Sequence, residues 1–319
     1  MSINSKNSMM HPVYLPFSEE EVNEHFAETK KNGKCNQNDR HINYYSKSIN
    51  RYSKYMKNNP DRRGKSIKEE LSSPFQLEKD ERFWTTSSLM TIYHSKNRQQ
   101  DFIKLFKKAY GDQPPTEEIK SWENCFDENL RLFFEPNLPS PKKYKQCLKK
   151  NLENRQFIPY ILDSAYEKKN KQEIKENLEG PTNVDALLIN PNGFSVIIEA
   201  KVLSDISYSV TYDTMRNQIA RTIDVMLEKN TKLCDPLDKR DTKETLFLLI
   251  TPRCFQENPQ SRFYGYKFNE YKKNPESIVK DLPHREPNEL KDISKRLGWL
   301  TWEDLNEENK NCCKWLNMK

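Results

Sequence analysis

Val184-Asp-Ala-Leu-Leu-Ile189, then Asn190-Pro-Asn-Gly193, then Phe194-Ser-Val-Ile-Ile-Glu-Ala-Lys201 is the stretch that decides how this chain is read. Two apolar runs flank a turn signal of Asn, Pro and Gly, which predicts an antiparallel hairpin. Side chains alternate along a strand, so Glu199 and Lys201 share a face. With the loop centred on Asn192, Asp185 stands as far before the centre as Glu199 stands after it, and their Cβ atoms face each other at about 5 Å. A register one residue off would send Asp185 to the opposite face.

A charged side chain in a strand of Ile and Val costs several kcal/mol unless it is paired or a metal neutralises it. Asp185, Glu199 and Lys201 therefore point to a built site. Two carboxylates with no histidine nearby supply hard oxygen ligands, which suit Mg2+, with Mn2+ as a substitute. A lysine beside such an ion can orient or help deprotonate an attacking water and offset charge on a pentacovalent phosphate. The chemistry indicated is phosphodiester hydrolysis.

Asp185, then Glu199-Ala-Lys201, then a helix carrying Gln218, resembles the PD-(D/E)xK nuclease superfamily over roughly residues 142–253. Asn183-Val184 stands where the family's name has proline. The resemblance implies an α/β (α+β) fold with a restriction-endonuclease-like core, in which helices flank a central mixed sheet. It makes Asp185 and Glu199 metal ligands, with the Ala200 carbonyl as a third, Lys201 the catalytic lysine and Gln218 an auxiliary catalytic glutamine. It also implies an acid on the first helix, for which Glu153 and Glu167 are candidates. Candidate core elements are a helix within Lys142 to Lys169, a strand near Gln172 to Leu178, the hairpin, a helix from Thr214 to Lys229, and a strand from Thr245 to Ile250.

On the helix after the hairpin, Met215, Ile219, Ile223 and Met226 recur at helical spacing, with Thr211 or Asp213 as N-cap. Arg216 and Arg221 are candidates to reach phosphate, since the guanidinium suits bidentate contacts. The alternative is that Arg221 pairs with Asp224 or Asp213 on a solvated face. In the preceding loop Tyr208 could stack on a base and Asp205 could support the site, though turn formation explains Ser and Asp equally well.

Net charge is +6, from 53 Lys and Arg against 47 Asp and Glu, which suits a polyanion partner without requiring one. Seven glycines, none clustered, exclude a phosphate-binding P-loop or dinucleotide fingerprint. Seven scattered cysteines without CxxC spacing suggest neither a zinc ribbon nor a disulfide framework. The five histidines lie outside the core stretch, leaving no local support for a His-based nuclease or a Ser-His-Asp triad. With no signal peptide and no apolar run of membrane-spanning length, a cytoplasmic protein away from membranes is expected.

Residues 1–140 read as a mainly helical accessory or recognition region, with helices at Phe17 to Thr29, Asp39 to Asn58, Ser88 to Tyr110 and Glu117 to Phe134. Within it Lys47, Arg51, Lys54, Arg62 and Arg63 belong to a run of eight cations opposed only by Asp61, interleaved with tyrosines. That pattern suits nucleic-acid backbone contact, or a solvated helix burying Tyr45, Ile49, Tyr52 and Met56. Residues 141–265 are the expected nuclease core and 266–319 a helical or irregular extension. Trp299, Trp302 and Trp315 there read as packing anchors. The whole predicts a Mg2+-dependent DNA endonuclease of restriction or phage-defence type, acting as a homodimer or with an activating protein partner. An RNA-directed nuclease or partner-activated effector is the alternative, and a non-catalytic nucleic-acid-binding module a third.

Overall fold

The computed structural model describes residues 16–30, 78–166, 173–206, 211–229 and 233–317. Its strands are β1 (Arg131–Phe134), β2 (Asn137–Leu138), β3 (Thr182–Asn183), β4 (Ala186–Ile189), β5 (Ser195–Ala200), β6 (Thr245–Thr251) and β7 (Leu297–Thr301). The longer helices are α1 (Glu19–Lys30), α2 (Glu81–Tyr93), α3 (Arg98–Tyr110), α4 (Lys142–Lys150), α5 (Gln218–Met226), α6 (Phe263–Lys273) and α7 (Trp302–Glu308).

The centre is a five-stranded mixed sheet in the order β1-β4-β5-β6-β7. β1, β4 and β5 are antiparallel neighbours, while β5, β6 and β7 run parallel. Parallel strands covered on both faces read as continuous apolar runs, and Thr245 to Ile250 is buried throughout. Alternation sorts the side chains: Val196, Ile198, Leu246, Leu248 and Ile250 pack with Phe102, Phe106 and Trp302, whereas Ile197, Phe247 and Leu249 pack with Ile219, Ile223 and Tyr264. The fold is thus α/β, with α1, α2, α3 and α7 over one face and α5 and α6 over the other.

The sheet crosses both expected boundaries. β1 comes from the stretch expected to be an accessory region, and β7 from the stretch expected to be an extension. Helix α3 packs on the sheet through Tyr110, whose ring lies against Gly298 of β7 and whose hydroxyl donates to the Phe247 carbonyl of β6 at 2.7 Å, so residues 78–134 share one core with the hairpin. The strand expected near Gln172 to Leu178 is instead a single bridge between Ile174 and Tyr166, and β1 takes the place beside β4. The helix expected over Glu117 to Phe134 shrinks to Trp122–Cys125, because Leu132, Phe133 and Phe134 are buried on both sides as a strand. The expected Ser88 to Tyr110 helix is two, α2 and α3, and the Asp39 to Asn58 helix lies outside the described residues. Among the described residues no helix is long and apolar enough to cross a membrane.

Candidate active site

The hairpin turn builds the site from the backbone up. Asn190 N–H donates to Phe194 O at 2.8 Å and Gly193 N–H to Asn190 O at 3.0 Å, with Gly193 at φ 102°, a left-handed conformation that favours glycine. The ladder pairs Ala186 with Ile198 and Ile189 with Ser195, the register expected for a loop centred on Asn192. One step beyond the ladder, Asp185 comes opposite Glu199. Its Oδ2 accepts the Ala200 N–H at 2.8 Å, and its carbonyl accepts the Glu135 N–H at 3.1 Å. Lys201 is pinned on both sides, donating its N–H to Ile250 O at 2.8 Å and accepting from Trp302 Nε1 at 2.9 Å. The cluster therefore sits at the carboxyl end of the parallel pair β5–β6, the end where α/β sheets bind ligands.

Glu199 Oε1 is the hub, accepting from Lys201 Nζ at 2.6 Å and from Gln218 Nε2 at 2.5 Å. Gln218 opens α5, whose N-cap is Asn217, its side chain accepting from Ala220 N–H; the expected Thr211 or Asp213 cap lies a turn too early. Burial and the neighbouring Asp185 push the Glu199 carboxyl up from its usual range, against the pull of Lys201. Burial works against the Lys201 charge, but Glu199, Asp185 and Glu81 outweigh it and keep the ammonium protonated.

Glu81 is a participant that sequence reasoning missed. It stands at the first turn of α2, with Oε2 3.8 Å from Lys201 Nζ. Its Oε1 accepts from Val202 N–H at 3.3 Å and from the Ser204 hydroxyl. The local signal, an acid after the helix-capping Asp80, reads as ordinary macrodipole compensation, and nothing in it points across 120 residues to Lys201. Of the acids expected on a first helix, Glu153 is exposed and makes no contact with the cluster, and Glu167 lies outside the described residues.

The donors can be set against the needs of a hard divalent ion. Among the described residues no three His, Cys, Asp or Glu side chains are spaced to hold an ion by themselves. Mg2+ asks for less, one or two carboxylates with water and substrate oxygens filling the octahedron. The hydrogen bonds on Asp185 and Glu199 fall on Oδ2 and Oε1, and no bond from a described residue falls on Oδ1 or Oε2. A strand residue sends its N–H and C=O to the same edge, so the Ala200 carbonyl leaves on the side of Asp185. Three oxygens and an excess of negative charge fit Mg2+ or Mn2+.

Arg216 corrects an expectation. It is fully buried, paired with Glu179 at 2.7 Å and with Asp224, and its guanidinium lies 3.5 Å from the centre of the Tyr144 ring. It holds the fold together and is out of reach of a phosphate. Arg221 is largely committed as well, 2.8 Å from Glu179 and donating to Pro181 O at 3.2 Å. Asp205 caps α6, accepting from Phe263 N–H at 2.7 Å and Tyr264 N–H at 3.1 Å. Tyr208, Lys47, Arg51, Lys54, Arg62 and Arg63 lie outside the described residues. Trp302 and Trp315 are buried packing anchors, as expected.

No protein-family model, curated protein or solved structure matches this chain.

Proposed function

We propose that this chain is a metal-dependent endonuclease on a restriction-endonuclease-like core, hydrolysing phosphodiester bonds in DNA in restriction or phage defence. The observation that carries the reading is the single hydrogen-bonded cluster of Asp185, Glu199, Lys201 and Gln218 at the carboxyl end of β5. A buried glutamate and lysine beside a half-buried aspartate and amide, all held on rigid elements, have little structural purpose at the end of a sheet, where simple apolar packing would cost less.

Asp185, Glu199 and the Ala200 carbonyl would hold Mg2+, or Mn2+ in its place, which when bound supplies Lewis-acid activation of phosphate and water. Lys201, kept protonated by three carboxylates, stabilises negative charge as it grows on the non-bridging oxygens. Gln218 spends one N–H on Glu199 and keeps its Oε1 to orient the attacking water. Glu81 fixes the strand exit by binding Val202 and Ser204 and tunes Lys201 from the far side.

Plasmid DNA incubated with the purified protein, with and without Mg2+ and followed by end mapping, tests the reading. Mg2+-dependent nicks or breaks with mappable ends are expected; intact plasmid across divalent ions and partners would remove it. A matched RNA arm separates a DNA enzyme from an RNA-directed one.

A further inference from the structure

The tip from Arg155 to Tyr160, which follows α4, inverts the usual polarity of a protein surface. Arg155 and Gln156 point inward, while Phe157 and Tyr160 are 77% and 84% exposed. Exposed aromatic rings on a well-held backbone call for a partner.

The backbone here is well held. Arg155 Nη2 lies 2.6 Å from Asp213 Oδ2, and the Arg155 carbonyl accepts both the Thr214 N–H at 2.9 Å and the Thr214 hydroxyl at 2.7 Å. The Gln156 amide donates to Thr211 O at 2.8 Å and accepts from Ile158 N–H at 3.1 Å. These bonds fasten the aromatic tip to the strand of chain that enters α5. Asp213 precedes Gln218 by five residues, at most about 18 Å of extended chain, so the rings stand within a few nucleotides of the catalytic cluster.

Immediately before the tip, α4 buries Tyr144 and Leu148 and turns Lys142, Lys143, Lys145, Lys149 and Lys150 away from the core. From Pro141 to Leu152 there is no acid. Lys143 reaches Glu289 at 3.5 Å; the other four lysines have no ion pair among the described residues. Unpaired cations along one helix, followed at once by two outward rings, match the two faces of an unpaired strand, phosphate and base. Bases in a duplex are stacked away from such rings.

We propose that residues 142–160 form a single-strand-binding arm of the candidate site, the α4 lysines holding phosphates while Phe157 and Tyr160 stack on unpaired bases. This rests on the nuclease reading for its purpose, and makes the substrate a single-stranded, frayed or flapped nucleic acid. Its physical content is tested by binding alone.

Fluorescence anisotropy of the full chain in EDTA, across a salt series, compares a labelled thymidine oligonucleotide of about 20 residues with a duplex of equal length. The double variant Phe157→Ala/Tyr160→Ala is expected to weaken single-strand binding about tenfold or more and duplex binding less than about twofold. The quadruple variant Lys142→Gln/Lys145→Gln/Lys149→Gln/Lys150→Gln is expected to lower the salt slope on single strands by up to about 3. Thermal melts confirm that both variants fold. An aromatic variant that binds the oligonucleotide as the wild type does, or loses both nucleic acids equally, overturns the arm. So does loss of self-association or of a protein complex with nucleic-acid binding intact. If the arm behaves as expected while plasmid, single-stranded oligonucleotide and flapped duplex all stay uncut in Mg2+, the nuclease reading falls alone; cleavage with indifferent aromatic variants removes the arm alone.

Discussion

Two buried clusters of charge lie two residues apart on the chain, and they are built on opposite plans. Arg216 sits in a closed network with Glu179 and Asp224, and Asp224 is bound again by His284 at 2.9 Å and Arg285 at 2.7 Å. Burial works against the Asp224 charge, but His284, Arg216 and Arg285 outweigh it and hold its carboxyl below the ordinary range. Around Gln218 the balance fails: Glu199 and Glu81 share Lys201 with the neighbouring Asp185, the next cation, Arg82, is bound to Glu135 at 2.7 Å and reaches Asp185 only through the field, and Glu199 is driven up. A network whose charges cancel internally supports a fold, whereas one left short of a cation at the end of a sheet is prepared to receive one.

That contrast is broken most sharply by removing the central cation from each cluster. Lys201→Ala is expected to cut cleavage by about a hundredfold to a thousandfold while leaving the far-UV spectrum unchanged. A variant that cuts plasmid at the wild-type rate sinks the site assignment. Arg216→Ala should do the reverse, costing about 3–5 kcal/mol of stability because it takes a fully buried partner from both Glu179 and Asp224, whose remaining bonds run to Arg221 and to His284 and Arg285. A urea midpoint unchanged from the wild type would show that the closed network is not structural.

A third buried group, with no carboxylate among the described residues acting on it, sharpens the comparison at lower energy. Burial among Phe26, Tyr93 and Phe134, with His94 adding repulsion, pulls the His25 imidazole down to about 4. A folded-state value below the unfolded one means that the unfolded chain binds the extra proton. The stability contributed is complete above about 6.5 and is lost as pH falls toward 4. Between pH 7 and pH 5 the loss should be about 2 kcal/mol, and His25→Phe should flatten that part of the stability profile. An identical slope in the variant would assign the acid sensitivity elsewhere.

The smallest effects belong to the edges of the open cluster. Gln218→Ala is expected to slow cleavage about tenfold with little change in metal affinity, the loss of one hydrogen-bonding group around the water. Glu81→Gln keeps the hydrogen bonds to the strand exit and removes only charge, so a change of a few fold is expected. If Glu81→Gln proves more damaging than Lys201→Ala, their roles must be exchanged.

The hairpin was legible because a two-residue periodicity and a strong turn fix register locally, and Asp185, Glu199 and Lys201 depend on little else. Gln218 was legible through its position on an amphipathic helix and the family resemblance. Glu81 was not, since its approach to Lys201 is a product of how α2 crosses the end of the sheet. β1 was hidden by brevity: Arg131-Leu-Phe-Phe134 continues the apolar spacing of the helix expected before it, and only burial from both sides makes it a strand. Arg216 misled because a guanidinium near a candidate site reads alike whether it faces phosphate or two buried carboxylates. β7, Leu297-Gly-Trp-Leu-Thr301, has at its second position a glycine that speaks against a strand; a Cβ there would collide with the Tyr110 ring, so close packing demands glycine.

Whether the open cluster takes a divalent ion is tested most directly by thermal denaturation of the purified chain during Mg2+ titration, wild type beside Asp185→Asn. A rising, saturable melting temperature is predicted for the wild type, worth about 2.7 kcal/mol at a hundred times the dissociation constant, with the rise lost in the variant. A wild-type melting temperature indifferent to Mg2+ and Mn2+ would contradict the account.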